Sequence, residues 1–278
     1  ITAALALGLA VGAMSERPLA KAPPTEAVEN AETVSSMRLV LNLSARRLHV
    51  YQDGERTRSY TVSVGKPGHQ TPTGTYSISR IIWNPWWHPP NSEWARGKKP
   101  TPPGPNNPMG RVKMYFRNMY YIHDTPATGS LGEAVSHGCV RMSNSDAMEL
   151  ATLIHEYGSP NLSSSELASL KANSSRTREI RLQRQVPLEV VSSAADVVDG
   201  RLEIYASNGD FSHGLVREQA IQALRAAGFD LDTLDQNRLR DVVRMGQRAT
   251  ISVPLDDLVA PPAAAGTPAS ATSLADEQ

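Results

Sequence analysis

From Met37 onward the chain alternates. In MRLVLNL the apolar residues Met37, Leu39, Leu41 and Leu43 occupy every second position, which is the period of a strand with one buried face. RRLHVY and RSYTVSVG continue the pattern on either side of the turn QDGE, so three strands in a meander are predicted. TGTYSISRII supplies a fourth strand, and MYFRNMYYIH leads a further one into His123. Short strands spaced by turns commit the chain to a mainly β fold with one shared core. A helical period appears later, in SDAMELATLIHEYG, where Met148, Leu150 and Ile154 form the apolar stripe. Ser143 or Asn144 caps that helix and Gly158 stops it.

Around this centre the chain divides by composition. Residues 1–14 are small and apolar, too short a run to cross a bilayer, and read either as the remnant of an export signal or as a buried core helix. Residues 15–36, rich in Ala, Pro and Glu, are expected to be a linker, and 258–278, rich in Ala, Pro and Ser, a disordered tail. The main folded domain is expected over 37–207, ending with two strands joined around Asp199 and Gly200. Residues 208–257 are expected to form a small α/β extension, with helices over His213 to Gly228 and Leu231 to Met245 and a strand at ATISVPL. With 28 basic and 28 acidic residues the charges cancel, leaving no electrostatic footprint for nucleic acid and no polybasic membrane patch.

The stretch YYIHDTPATGSLGEAVSHGCVRM, from Tyr120 to Met142, holds the only cysteine, Cys139, and two of the seven histidines. A lone cysteine cannot form an internal disulfide, so it is either inert core filler or functional. A thiol becomes a useful nucleophile at neutral pH only beside a base or a positive charge. His123 and His137 are the candidates, and spacing alone leaves them interchangeable. Gly138, between His137 and Cys139, lets backbone amides approach a reacting carbonyl, as an oxyanion hole requires. Zinc is disfavoured, because H-x-C is cramped for two ligands of one tetrahedral ion and there is no second cysteine. Between the strands lies NPWWHPPNSEWARGKKPTPPGPNNPMG, with Trp83, Trp86, Trp87 and Trp94 in or beside it. A loop of that length is a lid or binding loop, or is sealed onto the domain by its aromatic residues.

SHGCVRM, preceded by IHDT and by the block VSVGKPGHQTPTGTYSI, resembles the catalytic domain of the L,D-transpeptidases of YkuD or ErfK type, the cysteine enzymes that remodel peptidoglycan. The resemblance implies Cys139 as nucleophile and His123 as base, oriented by the main-chain carbonyl of Asp124. It implies His137 and Gly138, with Cys139, in the oxyanion hole and in substrate positioning. It implies a β-sandwich of mixed strands with a helix behind the SHGC motif, and carries the two strands around Asp199 onto the catalytic sheet. Ser136, Arg141 and Asp124 are expected to contact substrate, and so are Trp86 and Trp87 of the loop. Arg141 stands where some members have Asn, and its guanidinium suits a bidentate carboxylate as well as a structural salt bridge. Asp124 stands where a small residue is frequent, which opens a side-chain ion pair to His123. Twelve residues separate His123 from Ser136, a compact spacer for the family. The implied substrates are peptidoglycan stem peptides in the cell envelope of an exporting cell, with an amine of a second stem, a free D-amino acid or an envelope lipoprotein as acceptor. Similar enzymes are acylated by carbapenems. A hydrolase using the same site and a non-catalytic wall-binding protein are the rival readings. No cofactor, metal, nucleic acid or membrane span of the mature protein is implied.

Overall fold

The computed structural model describes residues 36–159, 161–206 and 211–261. The expected export signal, all of the linker but its last residue, and 262–278 of the tail lie outside these. In chain order the first strands are β1 (Met37–Asn42), β2 (Arg47–Gln52), β3 (Glu55–Thr61), the two-residue β4 (Val64–Gly65) and β5 (Gly74–Trp83). After the tryptophan-bearing loop come β6 (Val112–Arg117), β7 (Tyr120–Asp124), β8 (Ala134–Ser136) and β9 (Val140–Met142). Two helices follow, α1 (Asn144–Gly158) and α2 (Ser164–Ala172), and then the long strand β10 (Arg178–Val191).

Eight of these strands form one mixed sheet in the order β3-β2-β1-β10-β5-β6-β7-β9, and β4 pairs with β8 beside it. Neighbours in the large sheet are antiparallel except β1 with β10 and β7 with β9, and β4 with β8 is parallel too. The two edges are brought together just past β3, where Ser63 and Arg141 exchange both backbone hydrogen bonds at 2.9 Å. A long sheet with one apolar face is thereby curled over that face. The alternation of β1 is borne out: Met37, Leu39 and Leu41 are buried in that core. Helix α1 closes it with Leu150 and Ile154, both fully buried, each worth about 1.5–3 kcal/mol of apolar transfer. Its cap is Ser143, whose side chain accepts from the Asp146 amide. MYFRNMYYIH is two strands, β6 and β7, turning at Asn118 and Met119, where Met119 takes a left-handed φ of 66°.

The remaining elements are β11 (Ala195–Val198), β12 (Arg201–Ile204), α3 (His213–Ala226), α4 (Gln236–Gly246) and β13 (Ile251–Pro254). Here the expectation needs correction. β11 and β12 do form a hairpin around Asp199 and Gly200, but they pair with β13 in a separate three-stranded sheet instead of joining the catalytic one. Leu202, Ile204, Val216, Leu224, Leu239 and Val243 build a second core beneath it. The tail also begins later than expected, since Leu258 is buried and Val259 bridges to Leu234. The two cores meet through polar groups: His49 of β2 lies 3.2 Å from Asp196, and Arg56 of β3 lies 3.8 Å from the same carboxylate.

Candidate active site

The register of four strands sets the site. Ile81, Met114, Ile122 and Val140 lie opposite one another across β5, β6, β7 and β9, and all four are fully buried in the core. Because side chains alternate faces, their neighbours one residue along point the other way. Lys113, His123 and Arg141 are therefore aligned across β6, β7 and β9 on the opposite face. The adjoining row on that face holds Tyr115 and Tyr121, paired in register, and Cys139, one residue before β9.

His123 is buried, and its Nδ1 lies 2.8 Å from the Asp124 carbonyl oxygen. A carbonyl only accepts, so Nδ1 carries the proton and Nε2 keeps its lone pair. Burial first, and then the cations Arg141 and Lys113, push the ring's pKa down to about 4, so at neutral pH the ring is uncharged. Cys139 is half-buried. Burial pushes its thiol pKa up, against the Tyr121 amide and the charges of Lys113 and Arg141, which favour the thiolate. Its Sγ lies 3.8 Å from the Met119 carbonyl, as a thiol donating weakly to the β6–β7 turn. The resting pair is thus a thiol and a neutral imidazole.

Four residues hold the turn that presents Cys139. Ser136 Oγ donates to the Cys139 carbonyl at 2.5 Å and accepts the Gly138 amide at 3.0 Å. Thr71 Oγ donates to the Gly138 carbonyl at 2.9 Å and accepts the Gly65 amide at 3.0 Å. Gly138 has φ +111°, and a Cβ there would stand 2.7 Å from the Tyr120 ring, so only glycine fits. One expectation changes accordingly. Ser136 is fully buried and its hydroxyl shapes the turn, bonded to the Gly138 amide, instead of facing substrate. The block from Gly65 to Gly74 is the scaffold of this turn, through Thr71 and through the Lys66 amide bonded to the Ser136 carbonyl.

Asp124 is corrected as well. Its carboxylate is buried and accepts the Arg111 and Val112 amides, both at 2.7 Å, and the Asn144 side chain at 2.9 Å. It ties the end of the loop to the start of α1, and has no exposed oxygen for substrate. Only its main-chain carbonyl meets His123.

Of the tryptophans, the structure brings Trp94 to the motif, not Trp86 or Trp87. Trp94 stacks on His137 with ring centroids 4.2 Å apart and planes 12° apart, and His69 meets the same imidazole edge-on at 4.8 Å. Trp86 is exposed and stacks on His88, while Trp87 pairs through its backbone with Thr101. Trp83 belongs to the core, donating from Nε1 to His155 Nε2 at 3.0 Å. Asn107 organises the loop, its buried amide donating to the carbonyls of Pro85, Thr101 and Pro102. Arg141 has no carboxylate or hydrogen-bonding partner for its guanidinium among the described residues. Neither Lys113 nor Thr71 stands out in the sequence, because strand register places the first and a turn the second. Among the described residues no cluster of His, Cys, Asp and Glu could hold a metal ion. A cleft of about 630 Å³ between α1 and α2, lined by His155, Glu156 and Lys171, includes none of the cysteine site's residues.

The pattern of the YkuD family, the L,D-transpeptidase catalytic domain, matches residues 36–171. The protein named "Putative L,D-transpeptidase in ATP synthase subunits region ORF 5" of Fuscovulum blasticum is 33% identical over 129 residues, 45% of this chain and 68% of that one. The chain belongs to the L,D-transpeptidase family. The probable L,D-transpeptidase YbiS of Escherichia coli K12 is 35% identical over 117 residues, 39% of this chain and 38% of YbiS. This chain therefore spans about two fifths of the length of that relative. Among solved structures, an L,D-transpeptidase from Mycobacterium smegmatis is similar at 18% identity and a TM-score of 0.38, over 57% of this chain and 59% of that one. Among the described residues no helix is long and apolar enough to cross a membrane.

Proposed function

We propose that this L,D-transpeptidase family member acts as a cysteine acyltransferase on peptidoglycan stem peptides in the envelope of the cell that exports it. The observation that carries the reading is the tautomer of His123: its Nδ1–H is committed to the Asp124 carbonyl, leaving Nε2 as a lone pair on the face shared with Cys139. In the first half-reaction Nε2 takes the thiol proton as Sγ attacks the carbonyl of the L-centre preceding the terminal D-residue. Proton transfer accompanies attack, because an ion pair is not the resting form. The amides of His137 and Cys139 are the donors of the turn left for the oxyanion, while Trp94 and His69 hold the His137 ring. The C–N bond then breaks, and the D-amino acid leaves with the proton from Nε2. In the second half an acceptor amine attacks the thioester, gives its proton to Nε2, and forms the new amide as the C–S bond breaks and Sγ is reprotonated. We assign this chemistry to the eight-stranded sheet with α1 and α2, and read residues 195–258 as an appended module with its own core.

Intact-mass analysis after exposure to a carbapenem tests the nucleophile. A covalent adduct is expected on the wild type and none on Cys139→Ala, with much slower acylation of His123→Ala. A folded wild type that gains no mass would refute the reading. Product analysis with and without an added amine then separates transfer from hydrolysis.

A further inference from the structure

We infer that Lys113 and Arg141 form a carboxylate-binding subsite on either side of the base, and that it selects acceptor amines bearing a carboxylate on the adjacent carbon. The inference rests on the proposed function and names the acceptor class for the same site.

The two cations lie directly opposite His123 on the neighbouring strands, about 4.8 Å to either side by ordinary strand spacing. Neither is neutralised by a carboxylate among the described residues. Lys113 is held with its ammonium 3.8 Å from the centre of the Tyr121 ring, so it is positioned but not charge-paired. Lys66 and Lys98, which act on His137, are cations too, and Arg80 over the Tyr115 ring is paired with Glu179. An unpaired pair of cations flanking a buried base is an arrangement for an anion that arrives with the substrate.

The chemistry says which anion. His123 hands its proton to the leaving amine in the first half-reaction and takes one from the acceptor amine in the second, so both nitrogens pass through the same position at Nε2. In an α-amino acid the carboxylate is two bonds from that nitrogen and would fall between Lys113 and Arg141. The amine of a diamino acid at a carboxylate-bearing centre, or a free amino acid, satisfies the subsite. A lysine ε-amine does not, since its nearest carbons carry no charge.

The test follows the capture of the donor tetrapeptide's acyl group by D-alanine, by D-alaninamide and by the side chain of Nα-acetyl-lysine amide. D-alaninamide has the less basic amine, so more of it is free at neutral pH, and any preference for D-alanine comes from the site. In the wild type D-alanine is expected to be used about tenfold better, in kcat/KM, than either rival, the scale of one charge-assisted contact. Lys113→Gln with Arg141→Gln should bring that ratio close to one, and Lys113→Arg should retain it. The inference is overturned if the wild type uses D-alaninamide or the lysine side chain as well as D-alanine, or if the preference survives in the double variant. Carbapenem acylation without capture of any amine overturns the inference while leaving Cys139 as nucleophile, and failure of acylation overturns both.

Discussion

Replacing Asp124 separates two ways of orienting the base. Its carboxylate accepts three hydrogen bonds, two from backbone amides at 2.7 Å through one oxygen and one from Asn144 at 2.9 Å through the other. Asp124→Ala leaves all three donors without a partner. At about 1–3 kcal/mol for each buried unsatisfied group, with some relief from water entering the space, the loss should be roughly 3–5 kcal/mol. For a chain of this size that lowers Tm by about 10–15 °C, since 1 kcal/mol moves the midpoint by about 2–4 °C. Asp124→Asn keeps an oxygen for the two amides and asks only that the Asn144 amide turn, so it should cost about 1 kcal/mol. Catalysis should respond differently from stability, because His123 is held by the Asp124 main-chain carbonyl, which both variants retain. Carbapenem acylation, followed by mass against time below the melting transition, is expected within about threefold of wild type for Asp124→Asn. A carboxylate that oriented the histidine would make the same change cost orders of magnitude by favouring the wrong tautomer. A well-folded Asp124→Asn protein that acylates more than a hundredfold slower would refute the carbonyl assignment.

Two further predictions follow from the rings. His123 and His155 both have folded pKa values of about 4, below the ordinary 6.5, because burial disfavours the charged ring. A depressed base contributes its full stability above pH 6.5 and loses it as the pH falls towards 4, by about 3 kcal/mol for each ring. Urea midpoints should therefore fall steadily over that window, and His155→Gln, whose oxygen can still accept from Trp83, should flatten the slope; an unchanged slope would remove His155 from the account. Trp94→Ala should slow acylation by about two- to tenfold, the scale of one lost aromatic pair, with Trp86→Ala within twofold of wild type. Measured rates in the opposite order would mean that Trp86, not Trp94, lines the reacting end of the loop.

What could be read without coordinates, and what could not, divides along a physical line. Alternation in β1 and the capped stripe of α1 report a buried face, which is a local property, and both elements are where the pattern puts them. The β6–β7 turn is hidden because Asn118 and Met119 lack the glycine that usually marks a left-handed turn, and Met119 adopts one regardless. The hairpin of β11 and β12 is visible at Asp199 and Gly200, but alternation says only that one face is buried. It does not say against which sheet, and the partner strand β13 arrives only after two helices. The family motif points to Cys139 and His123, yet it overreaches at Ser136 and Asp124, whose polar groups hold the turn and the loop together. Lys113 shows most clearly why register matters. Its place opposite His123 depends on the β6–β7 pairing, which includes an irregularity between Tyr115 and Arg117. A slip of one residue in that pairing would turn Lys113 towards the core and set Met114 or Val112 beside the base. The electrostatics of this site are therefore shared between Arg141, which the SHGCVRM motif carries, and Lys113, which only the pairing of β6 brings beside the base.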